Sequence, residues 1–351
     1  MTLTEYLTHA AQMGASDMFI VPGAPVSVKL EGQLVQLEDD KIMPVCSDAL
    51  VTELYALANR SMDTFHRCGD DDFSVSLKGV ARFRVNTYRQ RNSTAAVIRV
   101  VAFSIPDWQE LGIPSPVMDL AGLDGGMVLF TGTAGSGKST TQACIIDRIN
   151  RERACHIITL EDPIEYLHRN RKSIVSQREI AVDTADYLSA LRACLRQAPD
   201  VIQLGEMRDL DTIRTAMTAA ETGHLIFATL HTRGAVNAID RIIDAFPADQ
   251  QAQIRIQLSA VLRTVVSQQL LPDVNGAMIP AFELLHTTGA VRSMIRDSKN
   301  HQIPSVIAAG AGGGMVSMDQ SILSLFLSGR ITRKTALSHA DNPEQMLRRL
   351  G

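Results

Sequence analysis

Two rhythms of apolar residues divide this 351-residue chain. Over residues 1 to about 101 short segments follow one another as in a small α/β domain. Residues 4–13 have helical spacing and residues 17–21 read as a strand that ends at Pro22-Gly23-Ala24-Pro25. Residues 26–30 and 33–37 predict a hairpin turning at Glu31-Gly32. Leu50, Leu54 and Leu57 recur at helical spacing. Phe73, Val75 and Leu77 then alternate with polar residues, Lys78-Gly79 turns the chain, and Ala81, Phe83 and Val85 alternate again. A last strand is predicted over residues 95–101.

Pro106, Pro114 and Pro116 mark a linker. Beyond about 112 apolar runs alternate with helical segments. Strands are predicted at 127–130, 156–160, 201–204 and 225–230, and helices at 140–149, 185–197 and 210–221, which is the order of a mainly parallel sheet. Residues 250–271 predict one long helix, with mostly helical chain after it, and the glycine-rich residues 309–314 predict a flexible loop. No internal repeat is found. The fold class is α/β, with an N-terminal domain over 1–101, a linker over 102–116 and a second domain over 117–351 with a helical C-terminal region.

The first of those parallel strands, Met127-Val128-Leu129-Phe130, runs into Gly132-Thr133-Ala134-Gly135-Ser136-Gly137-Lys138-Ser139, the full G-x-x-x-x-G-K-[ST] spacing of a phosphate loop. Glycines let the backbone bend around an anion, and amides at the start of the following helix point at it. Residues Thr133, Ala134, Gly135, Ser136, Gly137, Lys138, Ser139 and Thr140 are the predicted nucleotide-binding set. Lys138 supplies a point charge to the β and γ phosphates of a nucleoside triphosphate, and Ser139 a hydroxyl to a magnesium ion, Mg2+.

The other strand ends define what such a site does, because ligands of an open α/β sheet lie outside the carboxyl ends of its strands. The second strand ends in Glu161-Asp162-Pro163-Ile164-Glu165, either a solvated acidic turn or the carboxylate that orients the attacking water. The third runs through Gly205 to Glu206, placed to hold the magnesium shell directly or through water. The fourth is bracketed by His224 and His231. A single histidine there reads as a boundary residue, but the pair suggests a γ-phosphate sensor.

Composition narrows the function. The net charge of −4 carries no polyanion-binding signature, which disfavours a nucleic-acid motor. The five cysteines include no C-x-x-C pair, so neither a structural zinc site nor a disulfide framework is expected. No signal peptide is seen and no apolar run reaches the roughly 18 residues of a membrane span. The expected location is cytoplasmic, docked on a membrane only through partners. Intact Lys138, Glu161 and Glu206 disfavour a regulator that binds the nucleotide without hydrolysing it.

The phosphate loop, Glu161-Asp162-Pro163, Gly205-Glu206-Met207-Arg208-Asp209 and the His224…His231 box occur together, in this order, in the secretion-type ATPases of type II and type IV systems, and the chain resembles that superfamily over essentially its whole length. Within it the sequence is most similar to the PilT-type pilus retraction ATPases, through Ala81-Arg82-Phe83-Arg84-Val85-Asn86, Ala219-Ala220-Glu221-Thr222-Gly223-His224 and Ala290-Val291-Arg292-Ser293-Met294-Ile295-Arg296. Neither the extra N-terminal domain nor the tetracysteine motif usual in pilus assembly ATPases is expected. The resemblance implies a PAS-like N-terminal domain, a RecA-like C-terminal domain and a homohexameric ring that acts on an inner-membrane pilus platform protein without inserting in the membrane. It further implies catalytic roles for Glu161, Glu206 and His231, and two arginines that reach the nucleotide, matching Arg84 and Arg99. Arg84 alternates with Phe83 and Val85, so it projects from the opposite face, where a solvated arginine is the competing reading. An accessory retraction paralogue or a type IV secretion ATPase stays open, as does a plain amphipathic surface helix for residues 290–296. Phe19, Ala228 and Arg233 depart from the usual family residues, and none of them removes a catalytic group.

Overall fold

A computed structural model describes residues 1–30, 32–101 and 105–350. Glu31 of the predicted hairpin turn, residues 102–104 of the predicted linker and Gly351 lie outside the described residues. The chain divides into two compact units, Met1–Ser104 with Glu165–Leu167, and Ile105–Ile164 with His168–Gly351.

The first unit, the PAS-like domain, is an antiparallel six-stranded sheet of β1 (Asp17–Ile20), β2 (Ser27–Leu30), β3 (Gln33–Gln36), β4 (Asp70–Leu77), β5 (Ala81–Gln90) and β6 (Ser93–Val101), in the order β3-β2-β1-β6-β5-β4. Helices Leu3–Gln12, Pro44–Leu57 and Asp63–Cys68 supply the other half of its core. The first begins with a reciprocal capping box, Thr2 with Glu5, which satisfies two amides at the helix start. In the second helix Val51, Leu54 and Tyr55 are the buried stripe, while Leu57 is exposed. Along β5, Ala81, Phe83 and Val85 are buried and Arg84 is exposed, so period-two alternation puts one face on the core and one in solvent. Between β5 and β6, Arg91 and Asn92 both take left-handed backbone, φ 47° and 59°, the two-residue turn whose twist suits a hairpin.

The second unit, the RecA-like domain, holds β7 (Gly126–Thr131), β8 (His156–Glu161), β9 (Ile174–Glu179), β10 (Val201–Leu204), β11 (Leu225–Leu230), β12 (Leu262–Pro272) and β13 (Met278–His286). Their order is β13-β12-β7-β11-β10-β8-β9, and every pairing is parallel except β12 with β13. Successive residues of β7 feed two separate cores: Met127 and Leu129 join one cluster, Val128 and Phe130 the other. The sheet is therefore covered on both faces, as parallel sheets are. Short helices follow from Gly289 to Arg349, the last of them packed against β12 and β13 through Met318, Ile322, Ala336 and Met346.

The structure differs from the sequence expectations at two predicted elements and adds one strand. The helix predicted over 250–271 ends at Val261, and Leu262–Pro272 is a strand between β7 and β13. A strand buried on both faces has no alternation to distinguish it from a buried helix; the run Thr264-Val265-Val266 favours the extended form. The hairpin that follows turns at Asp273–Ala277, where Asp273 Oδ1 accepts from the amides of Asn275 and Ala277 at 2.7 and 2.9 Å. The edge strand β9 was not anticipated. The predicted loop at 309–314 is instead the end of helix Ile303–Ala309 and a 3-10 turn, Gly310–Gly313. Among the described residues no helix is long and apolar enough to cross a membrane.

Candidate functional site

The carboxyl ends of the central strands lie side by side. Leu160 is in register with Leu204, Leu204 with Ala228 and Ala228 with Leu129. The residues that follow each strand thus share one edge of the sheet: the loop from Gly132, Glu161, Gly205-Glu206 and His231. This brings together the predicted Lys138, Glu161, Glu206 and His231 from segments spread over about 100 residues.

Gly132 and Gly137 take φ of 146° and 86°, conformations that side chains with a Cβ rarely adopt. A Cβ on Gly132 would meet the Gln268 carbonyl oxygen and lie 2.7 Å from Ser136 Oγ; one on Gly137 would lie 2.8 Å from Gln268 Nε2. The loop is therefore pressed against β12, and Gln268 fixes it further by accepting the Thr141 hydroxyl at 2.9 Å through Oε1. Helix Lys138–Glu152 starts at Gly137 with no side-chain cap, which suits an anion at the positive end of its dipole. Lys138 is buried and its Nζ donates to the Gly132 and Thr133 carbonyls, each at 2.8 Å. Thr133, Ala134, Gly135 and Ser139 are exposed along the loop, and Thr140 is half-buried. A narrow, glycine-lined curve with one buried lysine fits a polyphosphate.

Around it, hydroxyl and amide groups hold the strand ends. Thr131 Oγ1 donates to the Thr232 carbonyl and pairs with its hydroxyl at 2.7 Å, tying β7 to the segment after β11. Gln142 Nε2 donates to Thr229 Oγ1 at 2.9 Å. Glu161 Oε1 accepts from Thr159 Oγ1 at 2.6 Å and from Gln177 Nε2 at 3.1 Å, so its carboxylate is oriented from two strands. Glu206 is buried; Oε1 meets Arg208 Nη2 at 2.5 Å and Oε2 meets His231 Nε2 at 3.2 Å.

His224 is not brought to this edge. It lies at the other end of β11, where its Nδ1 meets the Ala219 carbonyl at 2.9 Å and Thr222 Oγ1 at 3.1 Å and closes the turn after helix Leu210–Glu221. Two histidines flanking one strand necessarily sit at opposite edges of its sheet, so only His231 can sense a ligand here. Arg84 and Arg99 belong to the first unit, where they are cross-strand partners. Arg99 Nε donates to Asp17 Oδ1 at 3.0 Å, and with Asp72, Asn86 and Val97 these residues line a cavity of about 290 Å³ on the sheet face away from the core. Sequence reasoning missed Gln177, Gln268, Gln142 and Arg208. The polar triplet Ser267-Gln268-Gln269 between Val265-Val266 and Leu270-Leu271 was a readable sign for Gln268, and Arg208 stands in the Gly205–Asp209 motif without an assigned role; Gln177 and Gln142 carried none.

The family described as type II/IV secretion system protein matches residues 1–299. The chain is 40% identical over 344 residues, 98% of its length and 99% of the relative's, to the type IV pilus retraction ATPase PilT of Pseudomonas aeruginosa. It is 46% identical over 276 residues, 78% of this chain and 74% of the relative, to a twitching motility protein of Neisseria gonorrhoeae. The crystal structure of the pilus retraction motor PilT with bound ADP superposes with a TM-score of 0.91 at 42% identity, covering 99% of each chain. With its family match, near-full-length relatives and phosphate-loop edge, the chain belongs to the type II/IV secretion system protein family.

Proposed function

We propose that this chain is an ATP-hydrolysing motor that powers type IV pilus retraction, working as a homohexamer against an inner-membrane platform protein. One observation carries the reading: near-full-length similarity to a pilus retraction ATPase in a chain whose own Lys138, Glu161 and Glu206 share one sheet edge. Lys138 exchanges the two loop carbonyls for β- and γ-phosphate oxygens. Glu161, oriented by Thr159 and Gln177, accepts the proton of the water that attacks the γ phosphorus, and ADP and phosphate leave.

No group of three acids, histidines or cysteines among the described residues could cage a metal. Magnesium needs no such cage, because it keeps much of its water and binds through phosphates. Ser139 and Glu206 would hold it, Glu206 through a water because both its oxygens are engaged, and the ion would neutralise phosphate charge. His231 acts beside Glu206 as the γ-phosphate contact. Arg84 and Arg99 are assigned to charge neutralisation in the same reaction.

Lys138→Ala is expected to abolish hydrolysis. Glu161→Gln should keep ATP binding and lower turnover by about 10²- to 10⁴-fold, the scale of a lost general base. Deleting the gene should leave cells with surplus surface pili and no twitching. Bald cells would assign the chain to assembly instead, and normally piliated, twitching cells would leave it an accessory or secretion role.

A further inference from the structure

Next to the glutamates that handle water stands a residue that no part of the mechanism above uses. Tyr187 is the first residue of helix Tyr187–Cys194, held in place by the Asp186 cap, whose Oδ1 accepts the Ser189 amide at 2.7 Å. Its ring packs against the core of the second unit. Its hydroxyl reaches the backbone at Gly205: a Cβ built there would lie 2.6 Å from Tyr187 Oη and 3.0 Å from the Leu160 carbonyl oxygen. Gly205 donates its amide to that same carbonyl at 2.8 Å. The hydroxyl therefore lies over Gly205 where β8 and β10 end, and the residues that follow Leu160 and Gly205 are Glu161 and Glu206.

The geometry points to Tyr187 as a positioning residue for hydrolysis, whose hydroxyl donates into the gap between Glu161 and Glu206 and holds the attacking water and its base in line. This rests on the motor reading above. A phenol suits the task because it can donate without bringing a charge. Burial first, then the negative charge of Glu206, Asp162 and Glu161, pushes its pKa above the ordinary tyrosine value, so the proton stays on oxygen throughout the neutral range. The same contact gives position 205 its glycine: a methyl group there would displace the hydroxyl from the gap.

The test uses the full chain with ATP and magnesium, comparing the parent with Tyr187→Phe, Gly205→Ala, the double variant and Lys138→Ala. Tyr187→Phe should lower kcat about tenfold, the scale of one hydrogen bond to a charged group. KM, the affinity for a fluorescent ATP analogue and the melting temperature should stay at the parental values. Gly205→Ala should show a similar loss, and the double variant should lose less than the product of the two. Parental kcat in Tyr187→Phe overturns the inference. So does a fall in affinity and melting temperature that matches the fall in kcat, which is a packing role. So does a double variant that loses the full product. A parent no faster than Lys138→Ala would sink the motor reading itself, whatever Tyr187 does.

Discussion

The two sheets of this molecule put their chemistry in different places. The first unit's sheet has its helices on one face, so β5 alternates between the buried Ala81, Phe83 and Val85 and the more open Arg82, Arg84 and Asn86. Its free face is where side chains can act. The second unit's sheet is buried on both faces, with every residue of β7, β10 and β11 inside. No residue of these three central strands opens to solvent from a face, and the working groups gather at the carboxyl edge. One-faced sheets leave a surface for function and two-faced sheets leave only their ends.

That contrast is broken most forcefully on β5, where neighbours face opposite ways. Phe83 is fully buried, and Phe83→Ala should cost the first unit about 3–5 kcal/mol. Arg84→Ala, one residue further on, should change stability by no more than about 0.5 kcal/mol. It should nevertheless lower turnover about tenfold if the arginine works as an arginine finger does. Urea unfolding and ATPase assays on the same preparations separate the two. An Arg84→Ala protein that unfolds as early as Phe83→Ala would end the distinction between the faces, and one with parental turnover would leave this arginine a solvated residue.

A smaller effect is expected where the two-faced sheet touches the loop. Gln268→Ala removes the amide that accepts the Thr141 hydroxyl and leaves that buried group unpaired, a cost of about 1–3 kcal/mol. Because the amide also lies against Gly137, part of that loss should appear as ATP affinity weakened about tenfold. Titration with a fluorescent nucleotide reads it, and unchanged affinity would reduce Gln268 to core packing.

The same contrast governs what the amino-acid sequence displays. A one-faced strand announces itself, and Phe73, Val75, Leu77, then Ala81, Phe83 and Val85 mark β4 and β5 without help. A strand buried on both faces is a plain apolar run. Residues 127–130 were readable because a phosphate loop follows them, whereas 262–271 have no such flag and join the preceding helix. The half-exposed β9, Ile174-Val175-Ser176-Gln177-Arg178-Glu179, has neither alternation nor an apolar run. The chemistry divides likewise. Lys138, Glu161 and Glu206 stand at strand ends that local pattern locates. Their supports are contacts between distant segments, Thr141 with Gln268 across 127 positions and Glu161 with Gln177 across 16, and local sequence carries no record of them.

The smallest effect should come from the end of the sheet where no site lies. His224 and His231 bracket the six residues of β11, and the seven steps between them, at about 3.3 Å each, hold them about 23 Å apart. His231 meets Glu206 at the carboxyl edge, while His224 closes a surface turn through the Ala219 carbonyl and Thr222. His231→Ala removes a partner of the buried Glu206 and should lower turnover about tenfold, one charged hydrogen bond's worth. His224→Ala loses only contacts that water can replace, and turnover should stay within about twofold of the parent. Both variants belong in one ATPase series at saturating ATP. Equal losses from the two histidines would mean that the amino edge of the sheet also serves the reaction, and that placing chemistry only at its carboxyl edge is wrong.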